Sequence, residues 1–118
     1  KDWPTYDGTC IRDFIHVMDL ADAHIAALDF IFNSPPIYIN INVGTGSGKS
    51  VLEVLETFKR VNKCKIKFIF ESRRKGDLPY VVADNQLALS KLKWVPKRDL
   101  NDMCRDAWKW NLNNKNRI

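Results

Sequence analysis

With 118 residues, 45% of them hydrophobic and 28% charged, the chain has room for one domain that buries roughly two-thirds of its unfolded surface. No apolar run nears the ~20 residues of a membrane span, and Cys10, Cys64 and Cys104 stand too far apart for a disulfide framework or a zinc site, so a reducing, cytoplasmic setting is expected. The net charge of +5 is uneven, with three bases against eight acids in residues 1–58 and 16 bases against six acids in residues 59–118. A basic half suits an anionic ligand or nucleic acid, although charge runs are most often plain solvated surface.

Residues 1–10 show no periodicity and read as a loop, ending in the Asp7-Gly8 turn signal. A β-prone run follows from Cys10 to Val17, and a helix is predicted from near Asp19 to Asn33. Arg12 lies in that strand among apolar neighbours, where a guanidinium is costly unless something anionic meets it. The helix is apolar nearly all round: Leu20, Ala23, Ala27 and Ile31 form one stripe, Ile25, Leu28 and Phe32 another. Such a helix expects protein on several sides.

Asn33-Ser34-Pro35-Pro36 stops the helix, and residues 37–43 (IYININV) alternate as a strand with Ile37, Ile39, Ile41 and Val43 on one face. GTGSGKS then leads into a helix, VLEVLETFKRV. Ser50 and Glu53 have the spacing of a capping box, and Val51, Val54, Leu55 and Phe58 give the buried stripe. Residues 65–70 (KIKFIF) read as a second alternating strand with Ile66, Phe68 and Phe70 inward, and residues 71–80 as a charged loop. Asp84 caps a short helix through Leu92. Asp99 caps the last one, whose Leu100, Met103, Cys104, Ala107 and Trp108 share a face, before a polar tail at 111–118 that is expected to fray.

Several motifs must be weighed. GTGSGKS sits where a phosphate-binding loop would, but G-x-x-x-x-G-K-[ST] needs glycine at position 43, which is Val43; G-x-G-x-x-G fails because Lys49 takes its last place. The run therefore reads as a tight strand-to-helix turn. Arg73-Arg74-Lys75-Gly76-Asp77 is the better anion site: guanidinium groups match phosphate oxygens, Gly76 lets the backbone pass close to a ligand, and the carboxylate three residues after Arg74 can accept from both hydroxyls of a ribose. On residues alone, a solvated loop is the commoner outcome for such a run. His16 and His24 lack metal-ligand spacing, and His16 reads as a satisfied, half-buried histidine. Trp108 and Trp110 read as structural, one in the core and one partly exposed.

DGTCIRDFIHVMDLADAHIAAL, then INVGTGSGKSVLEVLETF, then RRKGDLPYVVAD and a closing Trp-rich helix resemble, in order and spacing, the UDP-glucose 4-epimerases of the extended short-chain dehydrogenase/reductase superfamily. The resemblance spans essentially all 118 residues and implies the C-terminal third of such an enzyme. It implies an α/β fold: residues 1–118 as the substrate-binding segment, with 19–43 supplying a helix and a strand that complete the Rossmann-like, NAD-binding sheet of a preceding portion. Arg12 and Arg74 would then hold the diphosphate of a UDP-sugar, and Asp77 its ribose. Val81 would stand where many members carry a tyrosine beside the sugar's 2-substituent, with Tyr80 one place early and facing away, leaving room for an N-acetyl group.

The parent activity so implied is NAD-dependent isomerisation of UDP-galactose and UDP-glucose by a cytoplasmic homodimer, with no nucleic acid or membrane involved. Related nucleotide-sugar enzymes, a 4,6-dehydratase or a UDP-glucuronate epimerase, are the alternatives, and a basic nucleic-acid-binding module is another. The chemistry of the family needs Tyr-x-x-x-Lys, yet Tyr6, Tyr38 and Tyr80 are followed four residues on by Cys10, Asn42 and Asp84. The chain is therefore expected to carry no catalytic, metal-binding or cofactor-binding residue and to be inactive alone.

Overall fold

The computed structural model describes residues 2–114 and has an α/β arrangement of three short strands, three α-helices and one π-helical turn. Strand β1 (Ile11–Asp13) lies at the centre of the sheet. On one side β2 (Gly48–Ser50) runs antiparallel to it, and on the other β3 (Tyr80–Val81) runs parallel. The register sets Ile11 opposite Ser50 and Tyr80, and Arg12 opposite Lys49 and Val81. The β-prone run expected over 10–17 is cut short at Asp13, four residues before the helix begins.

Helix α1 (Val17–Phe32) starts two residues before the predicted Asp19, because His16 caps it: Nδ1 accepts from the Met18 N–H at 3.0 Å, and Nε2 lies 3.2 Å from the Asp106 carboxylate. This is the satisfied structural histidine the sequence suggested, buried more deeply than expected. Asp19 is also buried and faces inward, accepting from the Lys97 and Arg98 N–H groups at 3.1 and 2.9 Å and from the Arg98 guanidinium. Burial alone would raise that carboxyl's pKa, but the hydrogen bonds from Arg98 and Lys97 outweigh it and hold the value below the ordinary one.

Helix α2 (Val51–Asn62) is capped by Ser50, whose Oγ accepts from the Glu53 N–H at 3.0 Å. The return half of the capping box is relayed. The Ser50 N–H donates to the Tyr6 hydroxyl, which donates to Glu53. That hydroxyl first and Lys49 after it, against the opposing pull of burial, hold the Glu53 carboxyl below its usual range. Helix α3 (Leu100–Asn114) packs on α2 through the edge-on pair of Phe58 and Trp108, 5.7 Å between ring centroids, with Cys104 buried between them. Asp99 caps α3 as predicted, accepting from the Asp102 N–H at 2.9 Å. Residues 111–114 of the expected fraying tail continue the helix, and 115–118 lie outside the described residues.

Two predicted strands do not form. Residues 37–43 and 65–70 carry clean period-two patterns, yet neither pairs with another strand among the described residues. Alternation marks a segment that suits a ladder; a ladder still needs a neighbour to take its N–H and C=O groups. Phe68 and Phe70, expected to point inward, are half-exposed and touch each other edge to edge, and Val51 is exposed rather than part of the α2 stripe. The short helix after Asp84 is present but turns into a π-helix at Ala88–Leu92. Its Ala88 packs with Ala23 and Trp94 into an apolar core cluster, flanked by Ile41 and Val43. That core is thin, and the Cα radius of gyration of 17.1 Å exceeds the ~13 Å of a compact 100-residue domain. Much of α1 stays bare: Ile25, Leu28, Ile31 and Phe32 are all more than half exposed.

Candidate functional site

The sheet gathers the residues that the sequence scattered over seventy positions. Arg12 leaves β1 beside Val81, its ladder partner on β3, and its Nη2 stands 3.8 Å from Asp77 Oδ1. The other carboxylate oxygen of Asp77 accepts from Arg74 Nε at 3.0 Å. A tight turn makes that second pair: the Asp77 N–H donates to the Arg74 carbonyl at 3.3 Å, and Gly76 takes φ +89°, which a side chain would resist. Asp77 thus links Arg12 to Arg74 through two ion pairs, with Val81 opposite Arg12 in the ladder and Arg74 largely in solvent.

Two clefts divide these residues, Arg74 and Asp77 lining one and Arg12 and Val81 the other. One, of about 300 Å³, runs between the N-terminal loop and residues 68–77, lined by Trp3, Thr9, Phe70, Arg73, Arg74 and Asp77. The other, of about 390 Å³, is lined by Arg12, Asn42, Val81, Ala83 and Asp84. Tyr80 does not face the second cleft; its ring lies toward Gly48 on the far side of the sheet, as alternation along a strand requires. Arg73, the other guanidinium of the loop, pairs instead with Asp2 at 2.9 Å and stacks over Trp3 at 4.0 Å.

Sequence reasoning missed Asp13. One carboxylate oxygen accepts from the Thr45 N–H at 2.9 Å and the Thr45 hydroxyl; the other accepts from the Gly46 N–H at 2.9 Å and the Ala83 N–H at 3.3 Å. This one side chain ties the glycine run to both β1 and the chain leaving β3. Its signal was faint but present: an acid in a strand whose returning loop offers threonine and glycine N–H donors. A Cβ on Gly44 would come within 2.6 Å of Asp13 and Ala83, and one on Gly48 within 2.4 Å of Ile11. Gly44 and Gly48 are packed against protein, and the Thr45 and Gly46 N–H groups, which a phosphate loop would offer its ligand, donate to Asp13. The strand entering α2 comes from its last residues, 48–50, not from 37–43. A third cleft beside it, of about 300 Å³, has Lys49 and Arg98 in its lining, but Lys49 is engaged by Glu53 and Arg98 by Asp19 and Asp22.

Residues 3–44 match the model of the NAD dependent epimerase/dehydratase family. The chain is similar to the UDP-glucose 4-epimerase of Bacillus subtilis, 44% identical over 98% of this chain and 34% of that protein. Among solved structures it is similar to a UDP-glucose-4-epimerase of Stenotrophomonas maltophila with bound NAD and formylated UDP-arabinopyranose, at a TM-score of 0.94 and 44% identity over 99% of this chain and 34% of that one. It is also similar to the UDP-Glc/GlcNAc 4-epimerase of Campylobacter jejuni, at a TM-score of 0.83 and 41% identity over 95% of this chain and 34% of that one. The chain spans about a third of the length of these relatives.

Proposed function

Because this chain belongs to the extended short-chain dehydrogenase/reductase epimerases, matching about a third of the UDP-glucose 4-epimerases it resembles, we propose that it forms the UDP-sugar-binding wall of such an isomerase. The observation that carries the proposal is the meeting of Arg12, Arg74 and Asp77 beside Val81, although Arg12 and Val81 stand 69 positions apart in the sequence. In this reading the two guanidinium groups take the diphosphate, Asp77 the ribose hydroxyls, and the cleft edged by Val81 the sugar.

NAD is the cofactor of the relatives, and the residues present here do not fit it. The glycine-rich run packs tightly on Asp13, Ala83 and Ile11, and no other described segment carries a dinucleotide fingerprint. NAD would therefore be held by a Rossmann portion outside these residues, which would also cover the exposed face of α1 and pair with residues 37–43. The chain alone, lacking Tyr-x-x-x-Lys, would not turn over substrate. The remaining expectation, a homodimer, attaches to the whole enzyme. The other nucleotide-sugar enzymes and a nucleic-acid module are less favoured, since 4-epimerases match nearly the full chain at over 40% identity.

Val81 sets the finer specificity in this reading. With Tyr80 turned toward Gly48, nothing bulky from β3 enters the cleft beside Arg12, and UDP-N-acetylhexosamines should be accepted along with UDP-hexoses. Shape selection of this kind is worth about 1–3 kcal/mol, so relaxed selectivity is expected rather than a switch. Calorimetry on the whole protein carrying this segment tests the site: Arg12→Ala and Arg74→Ala should each weaken UDP binding by about 1.5–3 kcal/mol. Unchanged affinity in both variants would place the anion site elsewhere. For the sugar, Val81→Tyr should lower the ratio of kcat/KM for N-acetylated over plain substrate, and an unchanged ratio removes Val81 from that role.

A further inference from the structure

The protein acceptor that meets Arg74 and approaches Arg12 is Asp77. Its two carboxylate oxygens face two guanidinium groups: Oδ2 accepts from Arg74 Nε at 3.0 Å, and Oδ1 forms a 3.8 Å ion pair with Nη2 of Arg12, whose Nη1 donates to the Ile11 carbonyl at 2.7 Å. A carboxylate spread over two guanidinium groups is the arrangement a phosphate oxygen pair would adopt in the same place. We infer that Asp77 serves as a built-in counter-anion, occupying the arginines' anion site in the free protein, and that a nucleoside diphosphate enters by exchange, displacing the carboxylate from the guanidinium groups before Asp77 can turn to the ribose.

The local structure suits an exchange. The i, i+3 spacing and the turn at Gly76 bring Arg74 and Asp77 together without help from the core, and a Cβ added at Gly76 would meet nothing within 4 Å, so the turn has open space around it. Arg74 is 83% exposed. An exposed ion pair is weak and screened by salt, so the carboxylate holds the guanidinium in reach of the site and yields to a more highly charged ligand. The inference rests on the anion-site reading above. It adds that one residue opposes binding through the diphosphate and favours it through the ribose.

The two effects separate when the ligand lacks a ribose. In the whole protein carrying this segment, phosphorus NMR titration should show inorganic pyrophosphate binding about two- to fivefold more tightly to Asp77→Asn than to wild type, the size of an exposed ion pair. UDP should bind the same variant more weakly. The gain for pyrophosphate should shrink when Arg74 is already changed to Gln and also at high salt. Equal or weaker pyrophosphate binding in Asp77→Asn overturns the exchange, as does an undiminished gain in the Arg74→Gln background, which would reveal repulsion through space with no occupancy. Failure of the site itself looks different: UDP affinity would then ignore both Arg12→Ala and Arg74→Ala.

Discussion

The β1-centred half of the molecule and the α1 face are built in opposite ways. Around β1 little apolar surface is buried, and cohesion comes from polar side chains that satisfy backbone groups: Asp13 with four donors, Asp7 with Thr9 and Ser50, Tyr6 between Ser50 and Glu53. Along α1 the sequence is apolar on nearly every side, yet only Ala23 and Asp19 are buried. Regular structure thus forms where N–H and C=O groups find partners among the described residues, in a helix's own turns or on a distant strand, and it lapses at 37–43 and 65–70, which pair with no strand there. A pattern without a partner leaves an exposed apolar face.

The contrast can be broken most directly at Asp13. Asp13→Ala leaves the Thr45, Gly46 and Ala83 N–H groups without their acceptor and should destabilise a protein carrying this segment by about 2–4 kcal/mol in urea unfolding. A cost below about 0.5 kcal/mol would show that water replaces the carboxylate. Asp19 comes next. Asp19→Asn should cost about 1.5–3 kcal/mol near neutral pH, since it removes a buried charge-assisted acceptor from Lys97 and Arg98. Its carboxyl is held below the ordinary value in the fold, so the stabilisation is present above the unfolded-state pKa of about 3.9 and is lost as pH falls through the folded value. The difference between wild type and Asp19→Asn should therefore shrink below about pH 4, and a gap independent of pH would reassign the effect to packing.

Gly48→Ala should cost about 1–3 kcal/mol, because its Cβ would meet Ile11 and Val82 where β2 lies against β1. A neutral result in thermal unfolding would mean that the strand pair has slack. The smallest effect is the one that sharpens the comparison. Leu28→Ala should change the stability of the 118-residue chain by less than about 0.5 kcal/mol, its side chain being more than half exposed. The same change in a longer protein whose additional portion covers α1 should cost about 2–3 kcal/mol. Equal effects in both would show that α1 is bare in each.

Of the candidate site, the sequence singled out Arg12, Arg74, Asp77 and Val81 but neither Asp13 nor the way they assemble. Arg12 stood out because a guanidinium in an apolar strand needs an anion, and Arg74 and Asp77 because a basic run with a carboxylate three residues on suits a phosphate and a ribose. Neither pattern says that β3 lies parallel to β1 with Val81 beside Arg12; that is a long-range choice of pairing partner and register. Asp13 escaped notice because a carboxylate's worth depends on the donors around it, and these come from residues 45, 46 and 83.

By itself the sequence determined the three helices, two of their caps, the failure of GTGSGKS as a phosphate loop, and the absence of a Tyr-x-x-x-Lys pair. Those properties are local: capping, helical period and motif spacing involve residues a few positions apart. The tertiary structure alone decided which extended segments become strands. It also decided that His16 and Asp19 are buried, that Tyr80 turns from the cleft, and that Asp77 reaches both arginines. Hydrogen-bond partners and burial depend on what the rest of the chain brings into contact, and a period-two pattern is the same with a neighbouring strand or without one.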